Sequence, residues 1–213
     1  GDAYKTCWAR YDEVAERVAN HLGVGVPYAK GRHISVEAAG WCALEWVHRA
    51  EVAIADNVCA RVQRPDATGA TSELQPDVSL TSEQSRARTL AYRKCFSVLV
   101  GGAGTGKSHV VSKVVMDYVD RNYNVLLVST MHSAVLVLEH RISGLNREPD
   151  CDGAYVTCKT IRAALAAQET GYGLVVVDEA GMMGLLDCQY LLAKFGAARF
   201  MLVGDPLQIP SIG

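Results

Sequence analysis

The segment GGAGTGKS at residues 101–108 is the strongest chemical signal in the sequence. It satisfies the pattern G-x-x-x-x-G-K-[ST] between an apolar run and a helical pattern. Its glycines let backbone N–H groups turn toward phosphate oxygens, and the helix start adds its positive dipole end. Lys107 is expected to reach the β- and γ-phosphates of ATP and Ser108 to ligate Mg²⁺, whereas a glycine-rich turn with a chance lysine is the disfavoured alternative. The predicted nucleotide-binding residues of this loop are Gly102, Ala103, Gly104, Thr105, Gly106, Lys107 and Ser108.

A second signal is the apolar run at residues 174–177, which ends in the two acids Asp178 and Glu179. A buried strand of a parallel sheet delivers such carboxylates to the carboxyl edge of the sheet. There Asp178 would hold Mg²⁺, directly or through water, and Glu179 would polarise the attacking water as general base. The alternative is an acidic strand end in solvent, which the preceding phosphate-binding pattern disfavours.

Two polar strings add weaker signals. In VGDPLQIP, at residues 203–210, Gln208 would hydrogen-bond the γ-phosphate or its water, although by itself the string is only a turn. LTSEQ, at residues 80–84, has the form of a capping box at a helix start. Its Gln84 offers both a donor and an acceptor, which suits the edge of adenine.

These residues need a sheet that collects strand ends at one edge. After residue 79, short β-rich apolar runs alternate with helical patterns, which is typical of a parallel sheet covered by helices. We therefore predict an α/β fold with a central parallel sheet. The expected strands are residues 96–100, 125–129, 155–158, 174–177 and 199–203.

The first part of the chain has a different pattern. Apolar side chains recur at helical spacing through residues 2–22, and a second, long helix is predicted from near Ser35 to Pro65. The composition then turns polar and rich in turn-forming residues, which indicates a surface linker. The predicted organisation is a small helical N-terminal domain at 1–66, a linker at 67–79 and the α/β domain at 80–213.

Composition narrows the class of protein. A formal net charge of −2 gives no general electrostatic footprint for nucleic acid, so any such binding must be local. The seven cysteines include no C-x-x-C pair and fit neither a disulfide framework nor a zinc ribbon, so free thiols are expected. No apolar window is long enough to cross a bilayer, and the first residues do not resemble a secretory signal. We expect an intracellular protein, in the cytoplasm or nucleus, without a membrane partner.

Five strings together resemble the Q motif and motifs I, Ia, II and III of superfamily 1 helicases. Their order and spacing also agree, and the GGAGTGKS and GDPLQIP strings look most like the RecD branch, whose members move 5′ to 3′. Viral superfamily 1 helicases look similar too. The resemblance implies a RecA-like P-loop NTPase domain, the first motor domain of such an enzyme. The strings are LTSEQ (80–84), GGAGTGKS (101–108), VSTMHSA (128–134), VVVDEAG (175–181) and VGDPLQIPSIG (203–213).

The resemblance implies a role for each matching residue of the nucleotide site. Gln84 would read adenine, and Gln208 would couple the state of ATP to the bound strand. ATP and Mg²⁺ are the implied substrate and cofactor. The implied catalytic residues are Lys107, Asp178, Glu179 and Gln208, and the implied metal ligands are Ser108 and Asp178.

Motif Ia implies a nucleic-acid contact. It places Thr130, His132 and Ser133 on single-stranded nucleic acid, with Thr160 as a further backbone contact, and DNA is favoured over RNA. Hydroxyl and N–H contacts to phosphates position a strand without reading its sequence. A Ser/Thr/His loop after a strand also fits ordinary helix capping, which is the alternative for these residues.

The sequence ends directly after motif III, so the family's second motor domain and its arginines at the γ-phosphate are expected to be absent. We expect these residues to bind ATP·Mg²⁺, to hydrolyse it weakly and not to unwind. One alternative is a nucleotide-gated regulatory module with a protein partner on residues 1–63, which intact Lys107 and Glu179 disfavour. A viral RNA helicase is another, and a P-loop kinase or GTPase has no use for the Q-motif and motif III strings. The oligomeric state is not indicated.

Overall fold

The computed structural model describes residues 9–10, 34–36, 41–65, 74–142 and 153–205. The chain divides into two compact units, Gly1–Asp56 and Asn57–Gly213. The predicted division into residues 1–66, 67–79 and 80–213 stays a prediction. Within the described residues, no helix combines the length and apolar character needed to cross a membrane.

The first unit contains a small antiparallel sheet in the order β1-β3-β2, formed by β1 (Ala9–Arg10), β2 (Ile34–Val36) and β3 (Trp41–Leu44). Helix α1 follows at Glu45–Val62. The predicted helix start near Ser35 is wrong, because residues 34–36 form a strand that pairs antiparallel with residues 42–44. Helical and strand patterns are hard to separate over such short apolar runs. The helix predicted at residues 2–22 is contradicted at residues 9–10, and its other residues lie outside the described part.

The second unit is built on a five-stranded sheet in the order β4-β8-β7-β5-β6, with every neighbouring pair parallel. The predicted parallel α/β fold is confirmed. Three strands have the predicted bounds, while β6 begins and ends later than expected and β8 extends to Gly204. The strands are β4 (Phe96–Val100), β5 (Val125–Ser129), β6 (Val156–Thr160), β7 (Leu174–Val177) and β8 (Arg199–Gly204).

Helices alternate with these strands. They are α2 (Ser82–Arg93), α3 (Lys107–Val119), α4 (His132–Ile142), α5 (Ile161–Ala166) and α6 (Leu185–Lys194). Successive residues of a strand face opposite sides of the sheet. One side, which we call the α3 face, packs Leu127, Val176 and Val203 against valines of α3 and the end of α2. The central strands β5 and β7 are buried on both sides, as expected for parallel strands.

The end of α1 is anchored by a buried arginine. Arg61 is 1% exposed, lies over the ring of Phe200 and donates to the carbonyl oxygens of Leu192, Phe195 and Ala198. Burial lowers the pKa of Arg61 to about 10, so the guanidinium remains charged at neutral pH. A cation on the last carbonyls of α6 also complements the negative end of that helix.

Residues 74–79, inside the predicted linker, are bound closely to α2 and α3. Leu74 packs against the core, and Arg88 donates to the carbonyl of Gln75 at 3.0 Å. Arg88 also forms two hydrogen bonds, of 2.6 and 2.7 Å, with the buried carboxylate of Asp117 in α3. The partner of Arg88 thus lies 29 residues away, on the next helix.

Candidate nucleotide-binding site

The candidate residues converge because all five strands of the second unit are parallel. The phosphate-binding loop leaves the carboxyl end of β4, the two acids leave β7, and the hydroxyl-rich segment at 130–133 leaves β5. Between the loop strand and the acid strand lies β8, which ends at Gly204. Ligands of open parallel sheets bind in the crevice outside the carboxyl ends of the strands. The structure therefore brings the phosphate-binding loop, the two acids and the segment at 130–133 to one edge of the sheet.

The phosphate-binding loop has the backbone that its glycines permit. Gly104 and Gly106 have φ values of +75° and +84°, in the left-handed region that favours glycine. A Cβ added at Gly106 would lie 2.5 Å from Nε2 of Gln84, so this position is crowded as well as left-handed. Helix α3 begins at the next residue, and its first N–H groups lie where an anion is stabilised.

Lys107 lies folded against its own loop. Its Nζ donates to the carbonyl oxygens of Gly101, at 2.5 Å, and Gly102, at 2.8 Å. An ammonium group has three donors, so one remains for a phosphate oxygen after these two bonds. Together with the two left-handed glycines and the helix start, this arrangement fits a bound triphosphate.

The two acids follow β7 directly. The N–H of Asp178 extends the ladder by donating to the carbonyl of Val128 at 2.9 Å, and one carboxylate oxygen of Asp178 accepts from the N–H of Glu179 at 3.1 Å. Glu179 has φ 52° and ψ 43°, a left-handed conformation that is uncommon for a residue other than glycine. Strained backbone of this kind clusters at functional sites, which is consistent with a catalytic role for Glu179. The sequence did not indicate it.

The second carboxylate oxygen of Asp178 and the position of Ser108 fit the donor set of Mg²⁺. Magnesium is usually bound by one or two protein oxygens, with waters and phosphates completing its shell. Among the described residues no group of three or more His, Cys, Asp or Glu side chains forms a metal cluster. The carboxylate of Asp178 and the hydroxyl of Ser108 would supply the one or two protein oxygens that such a magnesium site needs.

Gln84 connects the start of α2 to the phosphate-binding loop. The capping box predicted from LTSEQ is confirmed, because the N–H of Gln84 donates to the Thr81 hydroxyl and the Gln84 side chain accepts from the Thr81 N–H. The Nε2 group of Gln84 then donates to the carbonyl of Thr105 at 3.2 Å. The carboxamide expected to read adenine thus lies against the loop itself.

Sequence reasoning missed a polar chain beside the loop. Lys113 of α3 pairs with Asp77 at 2.7 Å, Asp77 accepts from the Ser79 hydroxyl at 2.5 Å, and the Ser79 oxygen lies 3.1 Å from Nε2 of His109. The Lys113 ammonium, with the hydroxyl and N–H of Ser79, holds the pKa of Asp77 well below its ordinary range. The Ser79 hydroxyl donates its one hydrogen to Asp77, so in the contact with His109 the imidazole N–H is the donor and the Ser79 oxygen is the acceptor. The turn-forming pair Asp77 and Ser79 was the available signal.

The nucleic-acid residues expected from motif Ia lie at the same edge. His132 and Ser133 are exposed in the first turn of α4. The hydroxyl oxygen of Thr130 is buried and has no hydrogen-bond partner within the described chain. The Thr160 hydroxyl instead accepts from the N–H of Ala163 at 3.2 Å and caps α5. Gln208 lies outside the described residues.

The family match to known proteins covers the part of the chain that contains this site. A family model described as an AAA domain matches residues 79–213. The ATP-dependent DNA helicase PIF5 of Trypanosoma brucei brucei (strain 927/4 GUTat10.1) is 31% identical over 159 residues, which are 67% of this chain and 17% of that protein. The chain thus spans less than a fifth of the length of this relative.

Solved structures show the fold. The UvsW helicase from Bacteriophage T4 aligns with a TM-score of 0.52 at 10% identity, covering 92% of this chain and 70% of that chain. At this identity the likeness shows a RecA-like fold and no more. The complex of Arterivirus nonstructural protein 10 (helicase) with DNA aligns over 61% of this chain and 33% of that chain. Its identity is 19% and its TM-score of 0.44 supports no argument.

Proposed function

This chain belongs to the AAA domain family and contains a superfamily 1 helicase motor domain, and from that premise we propose that it binds and hydrolyses ATP with Mg²⁺ to drive movement along single-stranded DNA. The observation that carries the proposal is that the loop lysine and the strand-end acids lie at one edge of the sheet, on strands separated only by β8. We further propose the RecD-like branch and 5′-to-3′ movement, which rest on the GGAGTGKS and GDPLQIP strings.

In the proposed nucleotide complex, Lys107 gives its third hydrogen to a phosphate oxygen while two carbonyls of the loop keep its position. Ser108 and Asp178 would hold the magnesium ion. When bound, that ion neutralises charge on the β- and γ-phosphates. Gln84 would turn from Thr105 to the adenine edge, which ties recognition of the base to the state of the loop.

Glu179 is the proposed general base for hydrolysis. Its backbone is left-handed, and it follows Asp178 directly in the chain. The isolated chain of 213 residues is proposed to turn ATP over slowly. Arginines from a partner domain contribute about 10³–10⁵ in turnover in related phosphoryl transfers. Gln208 is proposed to sense the γ-phosphate.

Thr130, His132, Ser133 and Thr160 are proposed to contact the phosphates of a single strand. The unpaired Thr130 hydroxyl supports this role, since a buried hydroxyl without a partner calls for one. The relative named as a DNA helicase supports DNA over RNA and an intracellular site of action, in the cytoplasm or nucleus. Residues 1–63 are proposed to hold a protein partner.

Nucleotide binding and turnover test this proposal. We expect the chain to bind a fluorescent ATP analogue with Mg²⁺ and Lys107→Ala to weaken binding at least about tenfold, the worth of one charged hydrogen bond. Lys159→Ala is the matched control, because it removes the same charge from a lysine paired with exposed Glu169. Glu179→Gln should keep nucleotide binding and abolish hydrolysis.

Addition of single-stranded DNA should accelerate ATP turnover in the wild type and have no effect in Lys107→Ala. Single-stranded RNA is the parallel arm, and stimulation by RNA alone would move the substrate from DNA to RNA. If neither single-stranded DNA nor RNA changes the rate of ATP turnover, the result would exclude a motor and favour a nucleotide-gated regulatory module.

A further inference from the structure

Ser129, the last residue of β5, carries a buried hydroxyl that neither the motif nor the mechanism uses. The residue is 0% exposed, and its Oγ has no hydrogen-bond partner within the described chain. Nearly all buried polar side-chain atoms in proteins are hydrogen-bonded, so an exception calls for an unseen water, ion or ligand. An apolar side chain at this position would not need such a partner.

The register places this hydroxyl beside the acids. Ser129 is opposite Thr160 on one side, and the residue before it, Val128, is opposite Val177 on the other. The ladder continues one step further, since the N–H of Asp178 donates to the carbonyl of Val128 at 2.9 Å. Neighbouring strands lie about 4.8 Å apart. The Cα atoms of Ser129 and Asp178 are therefore adjacent positions in one row across the sheet edge.

Both side chains project on the α3 face. Val125 and Leu127 alternate with their neighbours along β5 and belong to the core under α3, so Ser129 projects to the same side. By the same alternation Asp178 shares the side of Val176. Helix α3 covers this face and starts with Lys107 and Ser108 at the carboxyl edge. Ser129 thus shares both the edge and the face of the proposed metal ligands.

We propose that the Ser129 hydroxyl is a positioning residue of the ATP·Mg²⁺ site, where it holds a water of the magnesium hydration shell beside Asp178. Magnesium keeps several of its waters in protein sites, and these waters need acceptors and donors from the protein. The proposal rests on the proposed function. Thr130, the residue after Ser129, also has a buried, unpaired hydroxyl. Ser129 and Thr130 would therefore link the nucleotide site to the proposed strand-binding segment at the end of β5.

Ser129→Ala tests the proposal in the full chain by titrating Mg²⁺ against binding of a fluorescent ATP analogue. The Mg²⁺ concentration for half-saturation should rise about tenfold, the worth of one hydrogen bond to a charged partner. Binding of the analogue without Mg²⁺ should not change. Ser129→Thr, which keeps the hydroxyl, should restore the Mg²⁺ dependence. Ser97→Ala is the matched control, because Ser97 is a serine of β4 whose hydroxyl already donates to Phe200.

The outcomes separate the two proposals. If the wild type binds nucleotide without regard to Mg²⁺, the proposed function fails. If the wild type depends on Mg²⁺ and Ser129→Ala has the same dependence, the assignment of Ser129 fails while the function stands. A change in unfolding midpoint alone, with unaltered Mg²⁺ dependence, would make Ser129 the ligand of a structural water and overturn the proposal.

Discussion

At the scale of single residues, the phosphate-binding loop is held by a few side-chain hydrogen bonds. Lys107 is bonded to two carbonyls of its own loop, and Gln84 is bonded to a third at Thr105. Gln84 also completes the capping box of α2 through its Oε1. One side chain therefore serves both a helix start and the phosphate-binding loop, and its two polar atoms can be tested separately.

Gln84→Glu should separate these two roles. A glutamate keeps the acceptor that binds the Thr81 N–H, so the free energy of unfolding should change by less than about 0.5 kcal/mol. It lacks the amide donor, so affinity for ATP should fall about tenfold and the preference for ATP over GTP should shrink. Gln84→Ala should lose both, with about 1 kcal/mol less stability. Equal ATP affinity in wild type and Gln84→Glu, measured by calorimetry, would contradict the role at the loop.

At the scale of elements, the site depends on how α2, α3 and the loop between β4 and α3 fit together. The loop needs two left-handed residues, and α2 approaches it so closely that Gln84 fills the space beside Gly106. Beneath this contact, Arg88 and Asp117 tie the two helices together with a paired hydrogen bond. The hydrogen bonds to the Asp117 carboxylate, together with its negative charge, raise the pKa of Arg88 above its ordinary value.

Gly106→Ala should destabilise the chain by about 1–2 kcal/mol, since an alanine at φ +84° is strained and its Cβ meets Gln84. Gly102→Ala is the control within the same loop, because nothing lies within 4 Å of an added Cβ and its φ is not left-handed. That variant should change the free energy of unfolding by less than about 0.5 kcal/mol. Urea titrations measure both, and equal losses in the two variants would argue against this loop conformation.

Arg88→Ala should destabilise the chain by about 3 kcal/mol, because it leaves the carboxylate of Asp117 buried without its partner. Replacing both residues, as Arg88→Met with Asp117→Leu, should recover much of the loss. The exposed pair of Arg49 and Glu45 provides the comparison, and Arg49→Ala should cost less than about 1 kcal/mol. Thermal unfolding measures the loss of stability in each of these variants. A similar small effect at both arginines would show that the pair between α2 and α3 is not buried in solution.

At the scale of the whole molecule, the sheet of the second unit is covered on both sides at its centre and open at one edge. The central strands are fully buried, whereas Val98 and Val100 of β4 are each 58% exposed. Cys59, Cys95, Cys158 and Cys188 are free thiols. Cys59 is exposed, while burial raises the pKa of Cys158 in β6 to about 12.

Alkylation of the thiols should therefore report opening of the sheet. At pH 8 iodoacetamide should modify Cys59 readily and Cys158 at least about a thousandfold more slowly, because only a thiolate reacts. With its folded pKa above the ordinary 9.0, Cys158 favours folding while protonated, and this contribution is lost as pH rises from about 9 to 12. Peptide mapping by mass spectrometry measures each rate. Equal rates in the native protein would contradict the burial of the Cys158 thiol.

The sequence by itself determined most of the sheet and the local form of the start of α2. The glycine pattern at 101–108 and the apolar run before Asp178 are local signals, because turn geometry and strand burial depend on residue types within a few positions. For the same reason three strands have their predicted bounds and the capping box at Thr81 is as expected. The assignments of adenine, metal and strand contacts to particular residues remain predictions.

Only the tertiary structure decided which distant groups meet. The strand at Ile34–Val36, where a helix start was expected, depends on pairing with β3, and the partner of Arg88 lies on another helix. The polar chain joins Asp77 and Ser79, which precede α2, to His109 and Lys113 of α3. A helix and a strand lie between these pairs in the chain, so no local pattern predicts their contact. The row that sets Ser129 beside Asp178 exists only through the order of parallel strands, because residues far apart in the chain become neighbours at the sheet edge.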